Sequence, residues 1–250
     1  MKKYIAIVSV LVVACLGLYL NRAYRHISVS IGEKNLANPT VHQTIVLPPA
    51  TTTSTAKIVY AALGDSLTVG VGATAEQKTY PYLVAKLLAQ EKNIQVTVAN
   101  LGIPGATSAD VLNQQVPQAA KLHPDMVILA VGINDMLNRV PTDVFEKNMV
   151  SIVNGLAGAA THITVINIPY LGGSQAYWPP YRCYFDWQTR RYNNFLNKAL
   201  ANKNVAVIDL YTLTHEQAFN DKNYYSVDGF HPSDEGYQFW SNIIYGNLNY

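Results

Sequence analysis

The sequence predicts an α/β fold: a three-layer α/β/α sandwich on a five-stranded parallel sheet. Three observations carry this expectation. Short apolar runs alternate with segments of helical spacing from residue 57 to the end. The run at 126–131 is apolar throughout, as in a strand buried on both faces. Repeated strand–helix units of this kind fold into a parallel sheet covered by helices on both sides.

Residues 58–63 form a first strand. Apolar residues at 83, 84, 87 and 88 give 82–91 the spacing of a helix. Residues 94–99 read as strand two, and 109–121 as a helix that Pro117 breaks or kinks. Residues 126–131 are strand three, 144–156 a helix, 163–168 strand four, 189–202 a helix and 205–210 strand five. A last helix spans 234–245, with Ser233 as its N-cap and Asp234 and Glu235 in its first turn.

Two further segments precede this domain, which is expected over 57–250. Residues 1–20 open with Lys2 and Lys3 and continue, from residue 4 to residue 20, without a charge. A membrane-crossing helix needs about 17–25 apolar residues, so this run is just long enough. It reads as a signal-anchor. Val12-Val13-Ala14-Cys15 also resembles a lipobox, with lipid on Cys15, and ordinary signal cleavage is a third reading. All three put the rest of the chain outside the cytoplasm, held at or released from a membrane. Residues 21–56, with Pro48-Pro49 and the run Thr51-Thr52-Thr53-Ser54-Thr55, read as a linker. Within it, 41–47 is apolar enough to pair as a short strand.

Charge and cysteine content exclude several classes. The net charge of +2 conceals a basic front and a mildly acidic body. Residues 1–56 hold five Lys/Arg and one Glu, a net of +4, which leaves −2 for the remainder. Such a body offers no broad phosphate-binding surface, so nucleic acid is not an expected partner. Cys15 and Cys183 are too few for a disulfide scaffold or a four-cysteine zinc site.

Function in a parallel sheet gathers beyond the carboxyl ends of the strands. After strand one comes Gly64-Asp65-Ser66-Leu67-Thr68, a turn that can expose a serine hydroxyl or be an ordinary Gly/Asp/Ser turn. After strand two, Asn100-Leu101-Gly102-Ile103-Pro104-Gly105 brings a glycine amide to the sheet end, or is a plain loop. After strand three, Gly132-Ile133-Asn134-Asp135 holds an Asn able to donate to a developing oxyanion, or to cap a helix. Late in the chain, Asp228 precedes His231 by three residues, close enough to orient its imidazole.

Together these four segments resemble the blocks of the SGNH hydrolases, the GDSL esterase/lipase family. That family is named for Ser, Gly, Asn and His in separated blocks, matched here by Ser66, Gly102, Asn134 and His231 in the same order. The resemblance covers roughly residues 58–245. It implies the flavodoxin-like SGNH hydrolase fold and a serine esterase without metal or organic cofactor. Ser66, His231 and Asp228 would be the triad, and the Ser66 amide, Gly102 amide and Asn134 side chain the oxyanion hole. Asp65 and Asp135 adjoin these positions and read as supporting or capping groups. His26, His42, His123, His162 and His215 lack a partner motif and read as structural or solvated.

The segment 170–187 follows strand four and is rich in aromatics, among them Tyr170, Tyr177, Trp178 and Tyr181. These four are either substrate-binding residues of a lid or wall, or side chains that pack on the body. Carbohydrate O-deacetylation and lipid or lysophospholipid hydrolysis are equally open as activities. Acyl transfer by the same serine and a non-catalytic surface-binding module are the alternatives from other classes.

Overall fold

The structure is a computed structural model that describes residues 2–32, 44–51 and 54–248. Helix α1 spans Lys2–Gly32, and the edge strand β1 Thr44–Leu47. Then follow β2 (Lys57–Gly64), α2 (Ser66–Val69), α3 (Tyr80–Glu91) and β3 (Gln95–Asn100). Helices α4 (Ser108–Asp110) and α5 (Val116–Leu122) lead to β4 (Met126–Ala130), α6 (Ile133–Leu137) and α7 (Thr142–Leu156). Strand β5 (His162–Ile166), α8 (Tyr181–Leu200), β6 (Ala206–Ile208), α9 (Leu210–Asn220) and α10 (Asp234–Gly246) complete the described chain.

The strands form one sheet in the order β1-β3-β2-β4-β5-β6. All neighbours from β3 to β6 run parallel. The sheet has six strands rather than the expected five, because β1 pairs antiparallel with the outer side of β3. Residues 44–47 thus leave the stretch expected as linker, while 41–43 of the expected 41–47 strand lie outside the described residues. Helix α1 likewise runs through 21–32, beyond the uncharged segment that ended at 20.

From β2 the chain steps to β3 on one side and to β4 on the other. Right-handed crossovers in opposite directions put their helices on opposite faces. Helix α10 packs on α3 in one layer, and α7 packs between α5 and α8 in the other. Every residue of β4 is buried, which explains its unbroken apolar run. The reversal opens a crevice at the carboxyl end of β2, between the loops that leave β3 and β4.

Three expectations for the helices change. Pro117 does not break the helix: a five-residue π-helical stretch, Val111–Gln115, joins α4 to α5 just before it. A proline lacks the N–H and crowds the carbonyl four residues back, and a wider turn relieves both. Helix α8 starts at Tyr181, eight residues before the expected 189, because Phe185, Thr189, Tyr192, Leu196 and Leu200 continue one inward stripe. Helix α9 was not expected. Its buried face is only Leu210, Thr214 and Ala218, and Asp209 caps it by accepting from Thr212 N.

Candidate active site

At the end of β2 the chain turns sharply into α2. Gly64 sits at φ 153°, and a Cβ there would lie 2.2 Å from Ala130 O, so only glycine fits beside β4. Asp65 caps α2 by accepting from Leu67 N at 2.9 Å. Ser66 is the first residue of that helix and is partly exposed. Gln115, fully buried in the π-helical stretch, clamps the turn from below. Its Oε1 accepts from Gly64 N at 2.8 Å and its Nε2 donates to Gly64 O at 2.7 Å. The sequence reading missed Gln115; a glutamine inside an otherwise apolar helical face was its only signal.

The His loop approaches from the C-terminal side. His231 Nδ1 is 2.6 Å from Asp228 Oδ2, and His231 Nε2 is 3.0 Å from Ser66 Oγ. A carboxylate only accepts, so Nδ1 carries the proton and Nε2 is left to accept from the serine. Asp228 Oδ1 accepts from Ser226 Oγ (2.8 Å), Phe230 N (2.9 Å) and His231 N (3.0 Å). Burial pushes this carboxyl upward. The hydrogen bonds and charge of His231, with those of Phe230 N and Ser226, outweigh it and hold Asp228 below its ordinary range.

The Asn and Gly blocks also reach this crevice. Asn134 stands in the first turn of α6 after Gly132, whose φ of 130° and contact with Phe145 exclude a side chain. Asn134 Nδ2 donates to Ala106 O at 3.1 Å and lies 3.4 Å from Asp65 Oδ2. Asp135 points away and accepts from Ser108 N and Oγ at 2.8 and 2.5 Å, tying α6 to α4. Gly102 packs against the turn that carries Ser66, where an added Cβ would be 2.9 Å from Val69 N. Its N–H donates to Asn100 Oδ1 at 3.0 Å, so the amide expected to face an oxyanion is engaged within its own loop. Gly105, three residues on, is exposed at φ +77° with open space around it, next to the Ala106 carbonyl that holds Asn134.

The aromatic segment turns inward. Tyr177 is fully buried, stacked 4.4 Å from Phe185 and edge-on to Phe230. Tyr170 is buried against Tyr211 and His215, at 5.6 and 4.0 Å between ring centres. Trp178 stacks on His26, and Tyr181 lies beside Tyr24. Tyr170 and Tyr177 thus pack on the body, while Trp178 and Tyr181 touch α1 and stay partly exposed. Of the other histidines, His123 ends α5 at the far side of the sheet from Ser66, and His42 lies outside the described residues.

Residues 62–239 match the GDSL-like lipase/acylhydrolase family, and the chain belongs to it. An arylesterase of Vibrio mimicus is 32% identical over 107 residues, 42% of this chain and 52% of that protein. The chain thus spans about half the length of this curated relative. Among solved structures, the acetylxylan esterase Axe2 of Geobacillus stearothermophilus superposes with a TM-score of 0.61 at 18% identity, over 77% of this chain and 94% of Axe2. TesA gives a TM-score of 0.64 at 20% identity, over 76% of this chain and 98% of TesA. At these identities the likeness is one of fold.

Two predictions follow from the clamp and the cap. Gln115→Leu leaves the Gly64 N–H buried without a partner, a loss of about 1–3 kcal/mol in stability that urea unfolding measures. Unchanged stability would show that the clamp carries no weight. Asp65 is buried, and this desolvation, aided by the charge of Asp135 and only partly opposed by the Leu67 N–H, raises its pKa to about 7. Between its ordinary value and that point the folded state binds more protons than the unfolded state, so Asp65 makes stability fall as pH rises toward neutrality. Asp65→Asn removes this slope. Its melting temperature relative to the natural protein should therefore increase from pH 5 to pH 8, and a constant difference would contradict the assignment.

Proposed function

We propose that this protein is a serine ester hydrolase in which Ser66, His231 and Asp228 act as a triad. The observation that carries the reading is the unbroken contact Ser66 Oγ–His231 Nε2–Asp228, at 3.0 and 2.6 Å. Ser66 Oγ adds to the ester carbonyl while its proton passes to His231 Nε2. Collapse of the tetrahedral species breaks the ester C–O bond, and the alcohol leaves with the proton held by His231. Water then attacks acyl-Ser66 by the same route and releases the acid. Asp228, kept ionised by its four donors, holds the tautomer and stabilises the imidazolium.

The developing oxyanion is assigned to the Ser66 amide, Asn134 Nδ2 and one backbone amide of the loop after β3. Gly102 supplies that amide if its bond to Asn100 Oδ1 yields as charge forms. The exposed backbone of Gly105 favours it as a second source.

The substrates proposed are esters of small acyl groups, the acetyl ester of a carbohydrate being the leading class. The inward packing of Tyr170 and Tyr177 supports this, since these two rings are then not free to wall an acyl channel. The description of Axe2 as an acetylxylan esterase points the same way. We place the catalytic domain, with β1 added to residues 57–250, outside the cytoplasm. Residues 7–26 of α1 have the length and apolar character of a membrane-crossing helix, and its exposed apolar turns ahead of Tyr19 would hold the domain at a membrane.

The test is hydrolysis of p-nitrophenyl esters of increasing chain length by the full chain beside two variants. Ser66→Ala should abolish turnover, and acetate should be preferred over long acyl groups. Asn134→Ala should lower kcat by about 10²–10³ with a smaller change in KM, as expected for a donor that acts in the transition state. Unchanged kcat in Asn134→Ala would remove it from the oxyanion hole, and a preference for long chains would overturn the substrate class.

A further inference from the structure

Helix α1 exposes Val10, Val13, Leu16 and Leu18, but its next two turns are docked on the domain. Tyr19 Oη donates to Pro179 O at 2.7 Å, and Tyr181 Oη donates to Leu20 O at 3.4 Å. Ala23 has no exposed surface. The His26 ring stacks on Trp178 with centres 4.3 Å apart, and its Nδ1 is 3.2 Å from Ala176 O. Tyr19, Ala23 and His26 are spaced four and three apart, which places them on one stripe of the helix. A small residue in the middle of that stripe lets the backbone come close.

The segment they touch packs in turn on the loop that carries Asp228 and His231. Gln175 N and Ala176 N donate to Gly229 O at 3.0 and 3.3 Å, and Ser174 Oγ donates to the same oxygen at 2.7 Å. The Tyr177 ring meets Phe230 edge-on at 5.9 Å, and Phe230 in turn meets the His231 ring at 4.9 Å. Gly229 lies between Asp228 and His231, so segment 174–178 is held by α1 on one side and holds the triad loop on the other.

We propose that residues 19–26 of α1 are a permanent positioning element of the catalytic site, retained in the working protein. They hold segment 174–178 against the loop that sets His231 toward Ser66. This rests on the hydrolase reading above. It separates an anchor that stays from a leader that is removed, since removal would strip Trp178, Tyr181 and Ala176 O of these contacts.

The test uses the full chain in detergent. Ala23→Glu puts a charge where no surface is exposed and drives the helix off, and His26→Ala is a milder variant should the first fail to accumulate. Amide hydrogen exchange should quicken in peptides covering 174–178 and 226–231. With p-nitrophenyl acetate, kcat should fall about tenfold or more while KM changes less, because a small misplacement of a catalytic group has effects of that order. Unchanged exchange in both segments overturns the proposal. So does faster exchange with an unchanged kcat. If Ser66-dependent turnover is absent even from the natural chain, the hydrolase reading fails with the positioning role that rests on it, and exchange still reports whether α1 is docked.

Discussion

The Asp228 carboxylate organises everything around it. It is buried, and a buried charge without partners costs several kcal/mol or shifts its titration until it is neutral. Here it accepts from Ser226 Oγ, Phe230 N, His231 N and His231 Nδ1. Hydrogen bonds to a charged group contribute about 1.5–3 kcal/mol each, so four of them can offset such a cost. The geometry needs a sharp turn within the loop, and Gly229 provides it at φ 68°. The same turn presents Gly229 O to residues 174–176, which joins the loop to the aromatic segment and through it to α1.

Three buried carboxylates lie within this small region, and their surroundings separate them. Asp228 has enough donors to remain ionised below its ordinary range. Asp65 has one firm backbone donor and the repulsion of Asp135, and burial prevails. Asp135 is also raised by burial, although Ser108 donates to both of its oxygens. A serine nucleophile requires a base that is oriented and neutral at rest, with a fixed negative charge on its far side. Of these three carboxylates, Asp228 is the one hydrogen-bonded to a histidine, in the arrangement such a base needs. Asp65 and Asp135 shape the nucleophile turn and fasten α6, as their positions beside Ser66 and Asn134 suggested.

Much of this was legible in the sequence because it depends on local rules. The apolar run at 126–131 marked the central strand, and the βα alternation marked the parallel sheet. The Asp-x-x-His spacing fixed a contact that a short loop can make by itself. What stayed open or escaped depends on how residues meet in three dimensions. Thr44–Leu47, legible as a stretch able to pair, is a strand because β3 offers it an unpaired edge. Gln115 counts only because the π-helical stretch aims it at Gly64, about fifty positions away. For Tyr177 and Trp178 a substrate wall and packing on the body both stayed open, since composition does not tell which way a ring faces. The bond from Gly102 N to Asn100 Oδ1 was not legible, since composition does not tell which way the Asn100 side chain turns.

On the proposed reading, His231, set by Asp228, makes Ser66 the reactive nucleophile. The direct measurement is treatment of the folded full chain with a fluorophosphonate, followed by mass spectrometry of the modified peptide. One adduct per chain on Ser66, abolished in His231→Ala while the fold is retained, is the predicted result. Labelling elsewhere, or labelling of Ser66 at the same rate without His231, would contradict it.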